Sequence, residues 1–134
     1  EYIKTEIKRE VNKAIINGYS YFLSSFSDSI DLYFASIIAK LRGDAQIHLE
    51  AVLPHRNRLS QLLACEETRE FISLCSVVGT HNEMSQSNSA TICNNFMMKN
   101  ATRVIIVYNR NDKDNAIWDL CLSHDYKEIS LIPI

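Results

Sequence analysis

Five short apolar runs punctuate the sequence, each separated from the next by residues whose apolar positions recur at helical spacing. The runs are "YSYFLSS" (19–25), "IHLEAVLP" (47–54), "SVVGT" (76–80), "RVIIVY" (103–108) and "EISLIPI" (128–134). Each is short, apolar or aromatic, and bounded by turn residues, which reads as a strand. The spacing predicts strands near 20–25, 47–53, 76–80, 103–108 and 129–133. Before the first run, Ile3, Ile7, Val11 and Ala14–Ile15 share one helical face, and Asn17-Gly18 is a helix stop. After it, Ile30, Phe34, Ile37, Ile38 and Leu41 share another face that ends at Gly43. A polar loop "HRNR" leads into a helical pattern from Leu59 to Leu74, broken near Cys65. Serines and asparagines fill 82–91, a helix carries Ile92, Phe96 and Met97, and a further helix is expected over 116–124 after the loop "NRNDKDN". Strands alternating with helices predict βαβ units. The expected fold is therefore α/β: a three-layer, Rossmann-like domain with a mainly parallel sheet of about five strands and helices on both faces.

A length of 134 residues suits one domain spanning 1–134, with a core of its own. Hydrophobic residues make up 46% and charged residues 22%, which excludes a disordered chain. A net charge of −2 gives no general attraction to nucleic acid or anionic membrane, so neither is an expected partner. No apolar run approaches the roughly 18–20 residues that span a bilayer. The opening "EYIKTEIKRE" lacks the order of a signal peptide, and Cys65, Cys75, Cys93 and Cys121 form no CxxC pair. The expected location is cytoplasmic.

The order of these words resembles the YpsA-like branch of the SLOG superfamily, the Rossmann-like group that includes the DNA-processing protein DprA and the LOG phosphoribohydrolases. "AIINGYSYFLSSFSDSIDLYFASIIAKLR" resembles that family's helix, strand, S-G-x-A-x-G-x-D turn and helix. "IHLEAVLPHRNR" resembles its next strand and polar loop, "CNNFMMKNATRVIIVYN" its R-N-x-x-M-V-D helix and following strand, and "NAIWDLCLSHDYKEISLIPI" its last helix and strand. Ser24, Asp31 and Asn94 match family positions. Ser25 and Ser29 stand where the family has glycines, Cys93 replaces its arginine and Lys99 its aspartate, and Asp112-Lys113-Asp114 replaces a G-G-T turn. The resemblance also implies an opening strand ahead of residue 1, in mid-sheet, flanked by strands 20–25 and 76–80. Upstream residues or a partner chain would then complete the sheet, and a homo-oligomer is one such arrangement.

In a parallel α/β sheet the ligand crevice lies beyond the carboxyl ends of the strands. Those ends here are Ser24-Ser25, Pro54-His55-Arg56, Thr80-His81-Asn82 and Tyr108-Asn109-Arg110. Without glycine, the turn after the first strand keeps hydroxyl donors but is expected to lose close backbone approach to a diphosphate. Asp28 and Asp31 add negative charge at the helix start that an anion would use. Asp28 reads as a cap, and Asp31 either complements the helix dipole or, by the resemblance, contacts a ligand. His55, Arg56 and Arg58 form either an anion site or a solvated basic loop. His81 either faces the same crevice or packs in its loop. Met97 and Met98 read as core filler. No catalytic constellation or metal-ligand spacing is present. The expected ligand-binding residues are Ser24, Ser25, Asp31, Pro54, His55, Arg56, Arg58, His81, Asn94 and Asn109, with no cofactor and no catalytic residue. The leading expectation is a regulatory domain that binds a nucleotide-derived or other small anionic ligand, such as a nucleotide or an ADP-ribose-like molecule. The alternatives are a phosphoribohydrolase-like enzyme and an interaction module with a vestigial pocket.

Overall fold

The computed structural model describes residues 1–41, 46–81, 89–108 and 128–133. Among them the chain is α/β, in the order α1 (Tyr2–Ile16), β1 (Tyr21–Ser24), α2 (Ser29–Leu41), β2 (His48–Leu53), α3 (Arg56–Ala64), α4 (Glu66–Ser73), β3 (Val77–Thr80), α5 (Ser89–Asn100), β4 (Arg103–Tyr108) and β5 (Glu128–Pro133). Each of the five expected strands is present. The expected helix at 116–124 and the stop at Gly43 lie outside the described residues.

The strands pair in parallel throughout, but they form two sheets where one was expected. One sheet has the order β1-β2-β3, and the other joins β4 to β5. β2 is the central strand of its sheet, and Leu49, Ala51, Val52 and Leu53 are fully buried. It occupies the position between β1 and β3 where the family resemblance put an opening strand, so that location for an added strand is overturned. The pairing fits its burial: β2 is the most deeply buried of the three strands, and a neighbour on each edge pairs backbone groups that are out of reach of water.

Local chemistry sets the helix boundaries. α1 ends because Gly18 takes a φ of +95°, and the N–H groups of Gly18 and Tyr19 donate back to the carbonyls of Ile15 and Ala14. The helical pattern at 59–74 is two helices, parted at Cys65, whose backbone is extended at φ −97°, ψ 129°. The expected loop "HRNR" is instead the start of α3. His55 is its N-cap, with Nδ1 accepting from the Arg58 N–H at 3.1 Å.

One core joins both sheets. Ile7, Val11 and Ala14 of α1 meet Ile37 and Ile38 of α2, Leu49 and Leu53 of β2, and Ile132 of β5, with Ile105 and Val107 of β4 packed against them. A charged cluster ties the amino ends together. Arg103 at the start of β4 pairs with Glu10 of α1 at 3.4 Å and Glu128 of β5 at 3.7 Å, and lies over the Tyr19 ring ahead of β1. Among the described residues no helix is long and apolar enough to cross a membrane.

Candidate functional site

The turn from β1 into α2 holds the densest polar network on the described surface. Ser24 and Ser25 are buried, at 4% and 7% exposure, so their hydroxyls need partners inside the protein. The Ser24 hydroxyl donates to the Asp31 carbonyl at 3.3 Å and accepts from the Phe26 N–H at 3.3 Å. The Ser25 hydroxyl donates to Asp31 Oδ2 at 3.0 Å. The Ser27 hydroxyl and N–H reach the same oxygen at 2.5 and 3.3 Å. Asp28 caps α2, its Oδ1 accepting from the Asp31 N–H at 2.9 Å.

Phe26 completes the turn with φ 54°, the left-handed region a glycine would normally supply. The strain costs about 1–2 kcal/mol. Phe26 is fully buried, and burying a phenylalanine side chain contributes about 1.5–3 kcal/mol, which offsets it. Sequence reasoning missed this residue, because a phenylalanine carries no signal for positive φ. The Phe26 carbonyl accepts from Arg58 Nη2 at 2.6 Å.

These elements form a polar end to a groove of about 610 Å3 between β1 and β4, within the size range of ligand pockets. Ser24, Ser25, Asp31 and Asn94, from the β1–α2 turn and from α5, all line it. Phe22, Ile30, Phe34, Met97 and Met98 supply apolar walls. The two methionines thus border a groove, a role their reading as core filler did not include.

Pro54, His55, Arg56, Arg58 and His81 are not among the residues that line this groove. Pro54 follows β2, His55 caps α3, and Arg56 opens α3. Arg58 spends its guanidinium on the Phe26 carbonyl and on Gln61 Oε1 at 3.3 Å. The His81 ring stacks on Phe96 with centroids 4.2 Å apart, and its Nε2 is buried without a hydrogen-bond partner. Asn109 lies outside the described residues, as do Asp112 and Asp114. A second depression of about 700 Å3 runs along the solvent side of α1 among Lys4, Lys8, Arg9 and Lys13. It is an open, solvated face, with Lys4 Nζ 5.3 Å from the Tyr33 ring centroid.

Chemically, the turn supplies its own anion. Two hydroxyls and a backbone N–H converge on one carboxylate oxygen, the arrangement expected around a bound phosphate. An incoming phosphate has to displace Asp31 and approach Asp28. Among the described residues no group of three histidines, cysteines or acids is placed to hold a metal ion. Comparison with protein-family models and with characterised proteins gives no match.

Proposed function

We propose that this chain is a non-catalytic binding domain of Rossmann-like build, akin to the YpsA-like SLOG proteins. It takes the nucleoside part of a nucleotide-derived ligand in the groove between β1 and β4. The convergence of Ser24, Ser25, Asp31 and Asn94 on one groove carries this reading. Asp31 Oδ2 is committed to the turn, and the other carboxylate oxygen accepts a ribose hydroxyl. The Asn94 amide offers a second polar contact, and a base lies against Phe34 and Met97. A phosphate tail points out of the turn, because Asp31 already occupies the donors there.

Calorimetric titration with adenosine, AMP and ADP-ribose tests this. Adenosine should bind, and the added phosphates should contribute little. Asp31→Asn should weaken adenosine at least about tenfold, the loss expected for one hydrogen bond to a charged acceptor. No heat with any of the three ligands, together with no retained small molecule in native mass spectrometry, would overturn the reading. A second reading, an interaction module with a sealed pocket, is favoured by Asp31 itself filling the turn.

A further inference from the structure

The main-chain edges of the groove carry an inference that rests on strand geometry and goes beyond the nucleoside reading. Along a strand, the N–H and C=O of successive residues leave on alternate sides. The His48 N–H donates to the Ser20 carbonyl at 2.8 Å, which turns Ser20, Phe22 and Ser24 toward β2 and leaves Tyr21 and Leu23 facing away. The Glu128 N–H donates to the Thr102 carbonyl at 3.2 Å, which turns Thr102, Val104 and Ile106 toward β5 and leaves Arg103, Ile105 and Val107 facing away. All five outward-facing residues line the groove, and among the described residues neither edge has a strand partner.

The two edges run in the same direction. Arg103 lies 5.8 Å from the Tyr19 ring, and the Tyr19 hydroxyl donates to Glu128 at 3.4 Å, so the amino ends of β1, β4 and β5 meet. Ser24 and Val107, near the carboxyl ends of β1 and β4, border the same groove. Two parallel strands therefore face each other with open donors and acceptors across a shared slot. An extended chain seated between them can pair with an open edge on each side. The repeating demand on two sides suits a polypeptide backbone, so such a chain and a nucleoside compete for this groove.

We propose that the slot between β1 and β4 is a strand-acceptor site. It takes an extended segment of another polypeptide, parallel to both strands. The surroundings define that segment. Ala14, Ile30 and Phe34 from one helix pair and Met97 and Met98 from α5 line the slot, which calls for a run of about five apolar residues without polar alternation. At the amino end, Arg103 Nε is buried without a partner and is supplied with an acceptor by a backbone carbonyl of the segment. At the carboxyl end, Asp28 and Asp31 favour a lysine or arginine closing the run.

The test is fluorescence anisotropy of the 134-residue chain with dye-labelled synthetic peptides, each a valine–isoleucine run of about five residues ending in lysine. Two further peptides carry backbone N-methyl groups at odd or at even positions. The unmodified peptide should bind, and both methylated peptides should lose more than about tenfold, because an inserted strand uses both of its edges. Replacing the terminal lysine with glutamate should also weaken binding. In the protein, Ile105→Pro removes an N–H that β5 does not use and should abolish binding while circular dichroism stays unchanged. Four results would overturn the proposal. They are no binding up to about 1 mM peptide, a few-kcal/mol interaction at best; equal affinity for the methylated peptides; competition by adenosine without any methylation effect; and a dimer of this chain that the peptide does not dissociate.

Discussion

Replacing Arg58 with alanine separates two roles that a basic residue at a strand end can play. In the structure Arg58 Nη2 donates to the Phe26 carbonyl at 2.6 Å, across the gap from α3 to the β1–α2 turn. That bond holds a residue whose left-handed backbone is strained by about 1–2 kcal/mol. A hydrogen bond involving a charged group is worth about 1.5–3 kcal/mol. Arg58 is half-buried, so solvent screens it and the lower figure applies. At about 2.1 cal/mol/K per residue, 134 residues give an unfolding entropy of about 0.28 kcal/mol/K. Arg58→Ala should therefore lower the melting temperature by about 5 °C. Arg58→Lys should recover part of this, since an ammonium reaches one carbonyl but lacks the planar fork that also serves Gln61. Thermal unfolding followed by circular dichroism and calorimetry measures both variants. A melting temperature that moves by less than about 1 °C, with loss of an anionic ligand, would refute the structural role and restore the anion site expected from the sequence.

Two further expectations concern titrating groups. The Tyr21 hydroxyl donates to Glu50 Oε1 at 2.6 Å, and that bond, with lesser help from burial and the Glu50 charge, raises its pKa from 10.0 to about 12. The folded value lies above the unfolded one, so the stabilisation is complete below pH 10 and disappears as pH rises toward 12. Ultraviolet difference titration should show a late-ionising tyrosine that Glu50→Gln brings back toward the ordinary range; no such late component in the unaltered protein would contradict the bond. Cys65 sits exposed at the start of α4, where the Thr68 and Glu67 N–H groups lower its pKa from 9.0, whereas burial raises that of Cys93. Iodoacetamide labelling mapped by mass spectrometry should modify Cys65 before Cys93, with the Cys65 rate half-maximal below pH 9.0.

The strands were legible because each is a short apolar run with a sharp boundary, but the central place of β2 was not, since the family resemblance put an opening strand there. The break at Cys65 was legible as well. The division into two sheets was not, because local pattern states that a segment is extended but not which edge it pairs with. The start of α3 was misplaced for a different reason. "HRNR" is polar enough to read as a loop, yet His55 acts as a cap through its ring nitrogen, outside the residue types that usually mark a helix start.

At the site, the contacts each residue makes depend on distances no sequence states. By the family resemblance, Ser25 and Ser29 stand where an anion-binding turn has glycine. In the folded turn the positive φ falls on Phe26 instead, and Ser25 becomes a donor to Asp31. Asp31, read as a dipole partner or a ligand contact, is held by three donors of its own turn. These two facts explain each other. A turn that keeps its converging donors must give them an acceptor, and once a carboxylate of the same chain fills that place, backbone access for a phosphate no longer restrains the residues to glycine. Serine and phenylalanine then become admissible, provided the phenylalanine ring is buried and its carbonyl is held, which the core and Arg58 accomplish. The internal anion thus makes a turn without glycine workable, and a ligand in the groove has to leave Asp31 in place or displace it.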